Sequence, residues 1–203
     1  NLNEAQRHQA LFSLAEDYLG AGLFDRAEQL FSQLRDSTTL AEAELGKLVS
    51  IYEREQEWQK AIEALRKLEI LRGSKSSQVA HYYCELAEIA RAAGDRALAR
   101  EHLRNTVRSE SGALRGTMIR ATLAREEQDY AQAIPLYEQV IAAVPHFINE
   151  VLPSLLECYR AAGRLREFDA YVEDLIAKEP SASRALAYAA IIADLRGSNA
   201  LEG

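Results

Sequence analysis

Residues 11–34 read LFSLAEDYLGAGLFDRAEQLFSQL, and what this stretch shares with the rest of the chain decides the fold. Its Ala15 returns as a small or aliphatic residue at Val49, Ala87, Ala121 and Leu156. Its Ala27, twelve residues on, returns at Ala61, Ala99, Ala133 and Phe168. Both columns advance by 34, 38, 34 and 35 residues. Between them runs a third column, Tyr18, Tyr52, Ala90, Ala124 and Tyr159, and large residues follow at Phe31, Leu65, Leu103, Tyr137 and Val172. Within each unit apolar residues recur at spacings of three and four, which puts them on one face of a helix. The small residues fall where two helices of a unit meet and let the backbones approach. Phe24, Trp58, Tyr130 and Leu165 open most second helices, and Gly22, Gly94 and Gly163 mark turns that favour a left-handed residue.

A helix–turn–helix unit of 34 residues resembles the tetratricopeptide repeat. The expected fold is all-α, a right-handed superhelical solenoid forming a single array over residues 1–203. Its repeats span about 8–41, 42–79, 80–113, 114–148 and 149–182, with a lone helix near 183–196. The extra residues of the longest step fall in the polar run 72–77, which reads as a lengthened loop. Pro135 lies inside a second helix, where it removes a hydrogen bond, and Pro153 is expected in a first turn, where it does not. The last helix carries Leu186, Ile191, Ile192 and Leu195. That apolar surface predicts an array continuing past Gly203 and self-association, for instance as a homodimer.

The composition fits. The chain has 203 residues, 48% hydrophobic and 27% charged, which describes a globular protein rather than a disordered one. Its net charge of -7 argues against a nucleic-acid partner. No apolar run predicts a membrane span or a secretory leader, so no membrane contact is expected of this segment. The first residue is Asn1 rather than Met, which suggests a fragment of a longer protein.

Catalytic chemistry needs titratable groups that converge. His8, His81, His102 and His146 fall on different helices, and no phosphate loop or nucleophile elbow is present. His81, Cys84, Glu85 and Glu88 share helical spacing and could in principle hold a metal, but the set reads better as one polar helix face than as a matched zinc tetrad. Cys84 and Cys158 lie two repeats apart, too far to bridge, and Cys158 shares the apolar column of Ile51, Ile89 and Leu123. The expectation is a non-enzyme with no metal and no cofactor.

Recognition is the remaining role. The second, fifth, ninth and twelfth residues of each repeat form a further face of its first helix, expected to line the concave side. In the first repeat this face brings Phe12 and Leu19, and in the second Gly46 with Lys47 beside it. The third repeat supplies His81, Cys84, Glu88 and Arg91, the fourth Arg115, Met118 and Arg125, and the fifth Arg160. Arg91, Arg125 and Arg160 take the same position in successive repeats and suggest a guanidinium row for an acidic, partly apolar segment. Glu88–Arg91 and Glu157–Arg160 are also spaced to neutralise each other within one helix.

The words Ala21–Glu28, Glu57–Ile62 and Ala80–Ala87, in this order and with the lengthened loop between the last two, resemble the lipopolysaccharide assembly protein B family over nearly the whole chain. That resemblance implies an adaptor of Gram-negative bacteria on the cytoplasmic side of the inner membrane. Such an adaptor restrains lipopolysaccharide synthesis by helping a membrane AAA+ protease degrade the lipid A deacetylase. The family also carries an N-terminal membrane helix and a C-terminal rubredoxin-like iron or zinc module with paired Cys-x-x-Cys motifs, neither of which lies in these residues. The alternative is a peptide-binding tetratricopeptide module of another bacterial assembly, secretion or pilus pathway.

Overall fold

The computed structural model describes residues 3–35, 42–106 and 110–178, together with Ala193. The described elements are helical, and they fall into two compact units, Asn1–Ala113 and Leu114–Gly203. The expected lone helix 183–196, and the self-association read from it, lie outside the described residues apart from Ala193.

In the first unit, α1 (Glu4–Gly20) pairs with α2 (Phe24–Arg35), α3 (Glu42–Arg54) with α4 (Trp58–Arg72), and α5 (Gln78–Ala92) with α6 (Arg96–Leu103). In the second, which takes up α7 (Glu110–Glu126) from Leu114 on, α7 leads into α8 (Tyr130–Ala143), and α9 (Ile148–Ala161) pairs with α10 (Leu165–Lys178). A short 3-10 turn, Pro145–Phe147, joins α8 to α9. The first helix starts earlier than the repeat count suggested, because Asn3 caps it. Its side chain accepts from the Gln6 amide at 2.8 Å while Gln6 returns a bond to the Asn3 amide at 3.0 Å.

One turn is built five times. Gly22, Gln56, Gly94, Gln128 and Gly163 occupy the same place in the five repeats, and all have left-handed backbones with φ between 58° and 79°. After each, an amide bonds back five residues: Leu23 to Tyr18, Glu57 to Tyr52, Asp95 to Ala90, Asp129 to Ala124 and Arg164 to Tyr159, all at 2.8–2.9 Å. With the bond from each left-handed residue's own amide to the carbonyl three residues back, such as Gly22 to Leu19, this closure satisfies carbonyls left open at the end of a first helix. The second helix then starts two residues past the left-handed residue, at Phe24, Trp58, Arg96, Tyr130 and Leu165. Asp95 and Asp129 cap α6 and α8 by accepting from Leu98 at 3.0 Å and Gln132 at 3.1 Å.

The alanine columns are where the sequence placed them. Ala15, Ala27, Ala61, Ala87, Ala99, Ala121 and Ala133 are all fully buried. The first unit closes its core over Phe31, Ile51, Ile62, Leu65 and Tyr82, and the second over Tyr137, Val151, Leu152, Leu155 and Phe168. Side chains at these positions each contribute roughly 1.5–3 kcal/mol by leaving water.

Two sequence expectations need correction. Pro153 is not in a first turn: α9 begins at Ile148, so Pro153 is its sixth residue and deletes a regular helix bond. Both Pro153 and Asn149, whose carbonyl loses that bond, are exposed, so water can satisfy the carbonyl. Pro135 in α8 has the same arrangement over exposed Ala131. The apolar column of Cys158 also breaks once, since Ile51, Leu123 and Cys158 are buried but Ile89 is 54% exposed.

Candidate protein-interaction face

Within each unit the first helices stand beside one another, and polar side chains link them across repeats. In the first unit Lys47 of α3 pairs with Glu16 of α1 at 2.9 Å. The Tyr82 hydroxyl of α5 donates to Glu53 of α3, a short bond, and burial together with that carboxylate pushes the Tyr82 pKa up. Phe12 lies edge-on to Phe31, centroids 5.6 Å apart, and stays half-exposed like Leu19. Gly46 sits mid-helix in α3 with open space where a side chain would stand.

The residues expected on the third first helix divide between surface and core. His81 is exposed, its Nε2 3.8 Å from Glu85, and Arg91 pairs with Glu88 at 2.8 Å within the helix. Cys84 is not on the face at all: it is fully buried. It stands four residues after Ala80 and three before Ala87, both also fully buried, and shares their stripe. With one member on the surface and another in the core, His81, Cys84, Glu85 and Glu88 do not form a ligand set.

In the second unit Arg115 and Met118 are half-buried, and Met118 packs on the core. Arg125 of α7 reaches across to α9, its Nη1 donating to Glu157 at 2.8 Å. Burial works against the Arg125 charge, but Tyr137 and Glu157 outweigh it and raise its pKa. Glu157 therefore serves the neighbouring repeat, and Arg160 is exposed. Of the three arginines in the expected row, Arg91 belongs to the first unit, and Arg125 and Arg160 belong to the second. Sequence spacing did not reveal these links, because partners about 30 residues apart carry no local signal.

One acidic cluster lies elsewhere in the first unit. Carboxylate oxygens of Glu28, Glu55 and Glu57 come within 4.8 Å of one another. Lys60 lies against two of them, 3.2 Å from Glu28 and 2.5 Å from Glu57. Burial, then the neighbouring acids, raises the Glu55 pKa. The lysine ammonium thus supplies a positive charge to two of the three carboxylates.

A family model described as tetratricopeptide repeat matches residues 12–75 and 84–146. The chain belongs to the tetratricopeptide repeat family. It is similar to lipopolysaccharide assembly protein B of Escherichia coli, 32% identical over 203 residues, which is 100% of this chain and 52% of that protein. The protein of the same name from Haemophilus influenzae is 29% identical over 175 residues, 85% of this chain and 43% of that one. The chain thus spans about half the length of the curated relatives it matches. Among solved structures, a crystal structure of MamA protein superposes with a TM-score of 0.53 at 17% identity, covering 95% of this chain and 93% of that one. At that identity the likeness concerns the tetratricopeptide fold alone. Among the described residues no helix is long and apolar enough to cross a membrane.

Proposed function

We propose that this tetratricopeptide chain is a non-enzymatic protein-binding module acting in lipopolysaccharide assembly, on the cytoplasmic side of the inner membrane. Its role there is to bring the lipid A deacetylase to a membrane AAA+ protease. The observation that carries this reading is the 32% identity to lipopolysaccharide assembly protein B over all 203 residues of the chain. The first-helix faces support it, since they present half-exposed Phe12 and Leu19 beside charged pairs, the chemistry of recognition.

A chimera tests it. This chain replaces the matching region of the Escherichia coli protein, and cellular deacetylase is followed by immunoblot after protein synthesis is stopped. The chimera is expected to restore deacetylase turnover to a strain lacking the native protein. A folded, membrane-localised chimera that leaves the deacetylase stable would overturn the reading.

A further inference from the structure

We propose that Glu157 is a built-in competitor for the carboxylates of an acidic protein segment, which binds the second unit across α7 and α9. This rests on the adaptor reading and names the chemistry of its partner.

Arg125 lies in the last turn of α7, and Glu157 lies on α9, thirty-two residues later. Their pairing is lopsided. The arginine side chain is 28% exposed and the glutamate 58%. A guanidinium sunk to this depth loses part of its hydration, and Tyr137 and Glu157 hold it charged. Guanidinium carries five donors in a fixed fork. Its Nε–H is buried and has no acceptor, while Nη1 is engaged by Glu157. The cation is therefore oriented before any ligand arrives, and the group occupying it is a surface carboxylate on a rotatable stem.

Exchanging that carboxylate for another is close to balanced, because the incoming group makes the same charge-assisted bond the outgoing one gives up. The surroundings favour an anionic visitor. At the second, fifth, ninth and twelfth positions of these two repeats, the expected face, stand Arg115, Arg125 and Arg160 against Glu150 and Glu157. In a chain of net charge -7, a face where arginines outnumber acids is the place to which an acidic segment is drawn and from which a basic one is turned away. Glu157 then acts as the gate: it masks Arg125 until a ligand with several carboxylates displaces it.

The test measures fluorescence anisotropy of two labelled probes on the intact chain, a short peptide alternating glutamate and leucine and its lysine–leucine counterpart. The acidic probe is expected to bind and the basic one to bind more weakly. Arg125→Ala should weaken the acidic probe about tenfold, with Arg125→Lys between it and the parent, since lysine keeps charge without the fork. Glu157→Gln should tighten the acidic probe roughly threefold, and Glu157→Ala should do the same. Arg166→Ala, an exposed change on α10, serves as the control and should leave binding unchanged. Circular dichroism melting confirms folding of each variant. A purely structural Glu157 would make both Glu157 variants bind the acidic probe no better or worse, and that result overturns the proposal, as does equal binding of the basic probe. If the chimera fails while these peptide results hold, the adaptor reading falls and the acidic site stands. The reverse outcome means the partner uses another surface.

Discussion

Trp58 at the start of α4 stacks on Tyr82 of α5, with ring centroids 5.8 Å apart and planes 27° from parallel. This contact joins the second repeat to the third, beneath the turn at Gln56, and Tyr82 is fixed from its other end by Glu53. Trp58→Ala should lower stability by about 2–3 kcal/mol, since a half-buried indole and an aromatic pair are both lost. Guanidinium unfolding followed by circular dichroism measures it. A midpoint equal to the parent's would mean the stack contributes nothing.

The alanine columns make a steric prediction. Ala61 and Ala133 are fully buried at the contact between the two helices of a pair. Leucine at either site has no room, and the overpacking should cost about 1–3 kcal/mol. Serine, close to alanine in volume, separates crowding from polarity. Leucine variants that melt like the parent would place these helices further apart than described.

Left-handed glutamines give a gain instead of a loss. Gln56 and Gln128 hold φ of 58° and 62°, where a side chain crowds the backbone. Gln128→Gly should stabilise by about 0.5–1 kcal/mol, the relief of strain exceeding the added freedom of the unfolded chain. Gly94→Ala at φ 79° should destabilise by a similar amount. Opposite shifts in thermal midpoint for these two variants are the expected result.

Alkaline pH should loosen the second unit. Burial pushes the Cys158 thiol from its ordinary value of 9.0 up to about 11, and burial with Glu138 pushes Tyr159 up as well. The folded state thus favours the neutral thiol, while the unfolded chain ionises first. The contribution is complete below pH 9 and is lost as pH rises towards 11, about 2–3 kcal/mol for the thiol alone. Denaturant midpoints should fall over this range, and less steeply in Cys158→Val. Equal slopes for parent and variant would rule out the thiol as the cause.

Burial at fixed intervals was legible in the sequence because a helix pair admits only small side chains at its closest point, so alanine recurs wherever the geometry recurs. The turns were legible where they carry glycine. At Gln56 and Gln128 they were not, since glutamine has no turn preference and adopts the left-handed backbone only because the next helix demands it. The candidate face was read less well. Counting positions from one repeat put Cys84 outside, but its neighbours Ala80 and Ala87 turn that stripe inward. The pairing of Glu157 with Arg125 depends on how two helices of different repeats adjoin, which no spacing within one helix records.

The buried alanines also govern how each unit responds to force. Alanine has no side-chain torsion to rearrange, so the two helices of a pair meet along a seam that cannot slip without losing contact outright. Besides apolar contacts such as Trp58 on Tyr82, pairs meet through long polar side chains, Lys60 and Tyr52 on Glu28 and Tyr159 on Glu138. These can swing and re-form. Under load a pair is therefore expected to part all at once, giving up its whole seam, instead of creeping into a new register.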